Sequence, residues 1–153
     1  MKIATKFFDV IEVDEKEFIN FNHGIPGFED FHQYIIKRYK DQSPFLVMQS
    51  IEKADLAFIL IEMEQIVPGY SIDLDDSIVA ELQLNKPEEA IVRVIVTLPE
   101  DVSKATVDLA APIVINFKTG LAKQIILNNP MYSLKHPLFA TENAKEAACT
   151  VIP

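Results

Sequence analysis

Carboxylates are the chain's most abundant chemical groups, and Asp73, Asp75 and Asp76 fall within one short stretch, close enough to suggest a calcium loop or an acid/base pair. The calcium reading fails on spacing, because the glycine and the bidentate glutamate of an EF-hand are missing at the required offsets. What remains is a solvated helix start, favoured by the helix dipole, or an acidic patch that meets a basic partner. His23, His32 and His136 form no His-x-x-x-His pair and have no cysteine cluster beside them, so no metal site is expected. Cys149 is the only cysteine, which excludes an intramolecular disulfide and fits a reducing cytosol. Ser43, Ser50, Ser71, Ser77, Ser103 and Ser133 all lack the Gly-x-Ser-x-Gly setting that exposes a nucleophilic serine. Gly24 and Gly27 bracket Ile25 and Pro26 without a following Gly-Lys-Ser/Thr, which makes a tight turn rather than a phosphate cradle. The expectation is a binding protein rather than an enzyme, with no cofactor.

Charge narrows the partners. The 23 acidic residues outnumber the 14 basic ones and leave a formal net charge of -9, which repels phosphate backbones and suits basic proteins. Lys37, Arg38 and Lys40, interleaved with Tyr34 and Tyr39, resemble a stacking platform for single strands, but the overall charge opposes direct nucleic-acid binding. They fit better as lysines on a strand edge that discourage unwanted pairing. No apolar run reaches the length of a membrane span, and residues 1–13 mix charges into their apolar positions, unlike a signal peptide. A cytoplasmic monomer is expected.

The elements that carry these groups are strands. Val92, Val94, Val96 and Leu98 alternate with Ile91, Arg93, Ile95 and Thr97, a period of two rich in β-branched residues. Similar runs predict strands at 2–8, 17–21, 34–39, 45–51, 56–62, 106–110, 113–117 and 122–127. Lys118, Thr119 and Gly120 predict a hairpin loop between the last two. Pro26, Pro44, Pro68, Pro87, Pro99 and Pro112 fall at or beside strand ends, where a missing donor costs least. One helix is expected at 75–82, capped by Asp75 or Asp76, with Ile78, Val79 and Leu82 as its apolar stripe. The fold class is all-β, mainly antiparallel: a partly closed barrel-like single domain over 1–138 with one short helix. Residues 139–153 read as a tail, either a short helix or disordered.

The most distinctive stretch is Phe21-Asn22-His23-Gly24-Ile25-Pro26-Gly27-Phe28-Glu29-Asp30-Phe31. Its glycines supply backbone freedom, Pro26 fixes φ, and Phe28 and Phe31 return the chain to apolar surface. It resembles the Phe-x-x-Gly-Ile/Leu-Pro-Gly-Phe segment of the FliW family of flagellar assembly factors. Pro44-Phe45-Leu46-Val47-Met48-Gln49-Ser50, Leu56-Ala57-Phe58-Ile59-Leu60-Ile61, Leu109-Ala110-Ala111-Pro112-Ile113-Val114-Ile115-Asn116 and Ala122-Lys123-Gln124-Ile125-Ile126-Leu127 with Tyr132 resemble the same family in the same order. No such motif covers 139–153.

The resemblance implies a protein that sequesters CsrA, a small dimeric RNA-binding translational repressor, and is itself titrated by flagellin. Flagellin synthesis would thereby follow flagellar assembly. The alternative within the family reading is a flagellin export chaperone that mainly protects flagellin termini. A compatible physical mechanism follows from charge: an acidic protein docked on an RNA-binding surface attracts that surface and repels its RNA. Ile25 and Phe28 are the candidate apolar anchors, and Glu29, Asp30, Asp73, Asp75 and Asp76 the candidate acidic rim. Phe28 reads equally well as core, and Asn116, set among apolar residues, as a buried hydrogen-bonded group.

Overall fold

The computed structural model describes residues 1–62 and 72–138. In chain order the described elements are β1 (Lys2–Ile3), β2 (Ile11–Glu12), β3 (Ile19–Phe21), β4 (Gln33–Arg38), β5 (Phe45–Ser50), β6 (Ala57–Glu62), α1 (Asp76–Glu81), β7 (Ala90–Thr97), β8 (Thr106–Val107), β9 (Ile113–Asn116), β10 (Leu121–Gln124) and β11 (His136–Pro137).

Seven of these strands close a ring. The order β7-β6-β5-β4-β3-β10-β9 returns to β7 through the pairs Ala90 with Asn116 and Arg93 with Ile113. Every junction in it is antiparallel except the parallel contact of β3 with β10. The expected barrel is therefore present and complete, and it is thinnest at β3, which holds each neighbour through only two residue pairs.

The alternation read from the sequence explains how the ring fills. Inward residues of successive strands, among them Phe21, Tyr34, Met48, Leu60, Ile113, Ile115 and Ala122, make one core, with Ile36, Phe58, Ile91 and Ile95 packed against it. The outer face is apolar too, because it is covered. The β1–β2 hairpin lies on Ile35, and Val92 and Val114 pack with Ile78 of α1 and its C-cap residue Leu82. Val94 and Val96 pack under Val107, Leu109 and Leu138. Burial on both faces is why both alternating rows of β7, Val92, Val94 and Val96 on one side and Ile91 and Ile95 on the other, are mainly apolar.

Several expected elements have other limits, each for a local reason. The strand expected at 2–8 stops at Ile3, because Thr5 turns the chain: its hydroxyl accepts from the Phe8 amide at 2.9 Å and donates to the Phe8 carbonyl. The one expected at 17–21 begins at Ile19, after Asp14 and Glu17 form a reciprocal capping box around a 3-10 turn at Glu15–Glu17. The one at 106–110 ends at Val107, where the Asp108 carboxylate accepts from the Ala110 amide at 3.1 Å. The one at 122–127 is displaced to Leu121–Gln124. Strand β4 is not a lysine-guarded edge. It is bonded to β5 along its length and to β3 at Gln33 and Tyr34, Tyr34 is core, and Lys37 is paired with Glu17 at 2.6 Å. Pro137 does sit on an edge strand, where its missing donor is harmless. Pro68, Ser71 and Cys149, and the expected helical or disordered tail at 139–153, lie outside the described residues.

Candidate functional site

The turn between β3 and β4 is built to hold its shape. Gly24 has φ +68, and a Cβ there would lie 2.6 Å from the Glu29 Cα, so no side chain fits. The Gly24 amide donates to the Phe21 carbonyl at 3.0 Å, the Phe28 amide to Ile25 at 2.7 Å, and the Phe31 amide to Phe28 at 3.1 Å. Glu29 Oε2 accepts from the Gly27 amide at 2.9 Å, and that hydrogen bond holds the Glu29 carboxyl below the ordinary range. At the far side of the turn, Glu52 Oε1 accepts from the amides of His32 and Gln33 at 2.6 and 2.8 Å.

This bracing separates the two candidate anchors. Ile25 is 2% exposed and belongs to the core cluster, so it offers no surface to a partner; it pins the turn from beneath. Phe28 is 38% exposed, with its ring edge-to-face on Phe58 at 5.4 Å. The aromatic row continues inward from Phe58 to Tyr34 at 6.1 Å and on to Phe21 at 5.4 Å. Phe28 is thus the outer end of a stack that starts in the core. Burial, aided by the Glu52 charge, pushes the Tyr34 hydroxyl up to about 12, and that hydroxyl has no hydrogen-bond partner among the described residues.

The acidic candidates fall into two pairs and one separate residue. Glu29 and Asp30 follow Phe28 directly and are exposed. Asp75 and Asp76 open α1, where Asp75 is the N-cap: Oδ1 accepts from the Ile78 amide at 3.0 Å and from the Ser77 hydroxyl at 2.6 Å. The Ser77 bond first, then the Ile78 bond, holds the Asp75 carboxyl below its usual range. The helix is tied to the turn by a contact that sequence reading missed. His23 Nε2 lies 2.7 Å from Glu81 Oε1, while Lys123 Nζ reaches Glu81 Oε2 at 2.7 Å. Lys123 is the main reason the Glu81 carboxyl is held low, with His23 a smaller one. Turn, helix and β10 thus meet at one carboxylate. Asn116 fastens the same C-terminal end of the helix: its Nδ2 donates to the Leu82 carbonyl at 2.8 Å, and its Oδ1 accepts from the Lys118 amide at 2.9 Å. It is the buried hydrogen-bonded group that its apolar neighbours suggested.

Asp73 stands apart. It lines a cleft of about 860 Å³ with Ile72, Leu74, Lys86 and the Glu62–Arg93 ion pair, which spans 3.0 Å. Among the described residues, the lining includes no histidine, serine or cysteine, and no cluster of metal-ligating side chains occurs. None of the described helices is long and apolar enough to cross a membrane.

Comparison with known proteins gives this architecture its relatives. The family model described as FliW protein matches residues 2–138. The flagellar assembly factor FliW of Geobacillus sp. (strain WCH70) is 41% identical over 145 residues, covering 95% of this chain and 100% of that protein. The flagellar assembly factor FliW of Clostridium botulinum (strain 657 / Type Ba4) is 42% identical over 142 residues, covering 93% and 99%. A crystal structure of the flagellar assembly factor FliW superposes with a TM-score of 0.85 at 40% identity, covering 93% of this chain and 99% of that one. With the Phe21 to Phe31 turn, the closed barrel and the family match over residues 2–138 in agreement, the chain belongs to the FliW family.

Proposed function

We propose that this chain acts in flagellar assembly as a cytoplasmic regulatory protein, sequestering the translational repressor CsrA and being titrated in turn by flagellin. It works by occupying other proteins rather than by catalysis, as a monomer whose working unit is the 1–138 domain. The observation that carries the reading is the braced turn: a half-exposed Phe28 stacked on the core, followed directly by Glu29 and Asp30 and tied through His23 to the acidic helix α1. A rigid aromatic beside exposed carboxylates suits a basic partner surface, because the ring supplies buried area at low entropic cost while the carboxylates steer encounter.

An RNA-binding protein must present basic groups to phosphates, so a partner of net charge -9 docked beside them disfavours RNA as well. Asp75 and Asp76 extend the acidic rim along α1. Asp73 faces the cleft and Ile25 the core, so the contacting set is Phe28, Glu29, Asp30, Asp75 and Asp76.

Calorimetric titration with CsrA and with flagellin, separately and in competition under reducing, low-salt conditions, tests this. The expected result is binding to each and displacement of CsrA by flagellin. Binding to neither contradicts it, and flagellin binding that leaves the CsrA complex intact favours a flagellin export chaperone instead.

A further inference from the structure

A second exposed cluster lies at the opposite end of β4 and has the opposite charge. Phe7 and Tyr39 are each 39% exposed and meet edge-to-face with centroids 6.4 Å apart. Lys6 Nζ stands 5.6 Å from the Phe7 centroid, and Lys40 Nζ 5.3 Å from that of Tyr39. Neither lysine has an ion pair among the described residues, whereas neighbouring Lys37 is spent on Glu17 and Arg38 donates to the Ser43 carbonyl at 2.6 Å. The two segments that meet here, 1–10 and 37–41, carry five basic residues against Asp9 and Asp41, in a chain of net charge -9.

The surface is held rather than loose. The Lys6 amide donates to Gln49 Oε1 at 2.9 Å, and Gln49 is itself buried, with Nε2 donating to the carbonyls of Ser50 at 2.9 Å and Ala54 at 3.0 Å. The Tyr39 amide donates to the Phe45 carbonyl at 3.1 Å. Rings on an anchored backbone lose little freedom when something binds them.

We propose that Lys6, Phe7, Tyr39 and Lys40 form a docking site for an acidic segment of a partner protein, one that sets carboxylates on the two ammonium groups and an apolar side chain on the ring pair. Charge complementarity selects this occupant. A nucleic acid would meet the net negative charge of the rest of the molecule, and a second copy joined through this patch would bring lysine against lysine. The site is independent of the Phe28 face, so loss of CsrA binding at that face leaves this proposal standing.

The test uses the full chain and a short fluorescein-labelled peptide of glutamates broken by one phenylalanine, at about 50 mM salt. Its controls are the same peptide with glutamine for glutamate, and oligothymidine. The expected result is binding of the acidic peptide with amide shift changes at Lys6, Phe7, Tyr39 and Lys40. Affinity should fall about tenfold or more in Lys6→Glu/Lys40→Glu, and about fivefold in Tyr39→Ala, with unfolding midpoints unchanged for the charge variant. Equal affinity in parent and charge variant overturns the proposal, as does equal binding of the glutamine peptide. So does tighter binding of oligothymidine at this corner, or self-association of the chain that the charge variant abolishes.

Discussion

Strand β4 joins two surfaces that differ in almost every physical respect. At its start, the Gly24 to Phe31 turn is acidic and needs a left-handed glycine, and it is cross-braced to α1, β10 and the core row of aromatics. At its end, about 20 Å away by strand rise, the Phe7–Tyr39 corner is basic, contains no glycine, and sets its rings edge-to-face on each other. The turn's shape is therefore part of the fold's stability, while the corner's two rings belong to none of the buried clusters. A substitution that damages the turn should cost stability and binding together. One at the corner should cost binding alone.

The largest expected effect is Gly24→Ala. A Cβ at φ +68 would stand 2.6 Å from backbone, so the turn must rebuild, at a cost of about 3 kcal/mol in urea unfolding, whereas Phe7→Ala costs about 1 kcal/mol or less. Comparable losses for the two would end the distinction. Next comes Asn116→Ala, which strands the buried Leu82 carbonyl and loosens α1 from the barrel; about 2 kcal/mol is expected, with faster amide exchange in α1 before any change in β4 to β6. Phe28→Ala, half-exposed, should cost only about 1 kcal/mol of stability but weaken CsrA binding by about thirtyfold, measured by calorimetry.

The smallest effect is acid dependence at the Glu81 junction. Because Lys123 and His23 hold the Glu81 carboxyl below its unfolded value, the fold binds fewer protons there than the unfolded chain does. Its contribution is full above the ordinary carboxylate range and fades as pH falls through the lowered value. Urea midpoints between pH 6 and 3 should drop less steeply in Glu81→Gln than in the parent.

What could be read from the sequence was whatever a local pattern encodes. The alternation at Ile91 to Leu98, the Gly120 hairpin, a helix cap at Asp75 or Asp76 and the Phe-x-x-Gly-Ile-Pro-Gly-Phe turn each declare themselves within a few residues; the strand ends one residue early at Thr97, Asp75 is the cap, and the hairpin and turn are present in the fold. The exposure of Phe28 beside the burial of Ile25 was not legible, since both sit on the same short turn and only the barrel beneath decides which ring or chain it takes in. The His23–Glu81 and Lys123–Glu81 contacts link residues that no local period relates. The basic corner was hidden for a simpler reason: residues 2–8 read as one strand, whereas the Thr5 turn is what brings Phe7 across to Tyr39. Strand β11, two residues with a proline, leaves no periodic signal at all.

On the proposed function, the acidic turn and not the basic corner meets CsrA. Stopped-flow association of CsrA with the parent, with Glu29→Lys/Asp30→Lys and with Lys6→Glu/Lys40→Glu, across a series of salt concentrations, tests it most directly. Association about tenfold slower, with a much flatter salt dependence, is expected for the turn variant, and parent-like association for the corner variant. Equal rates and equal salt slopes for the parent and the turn variant would contradict it.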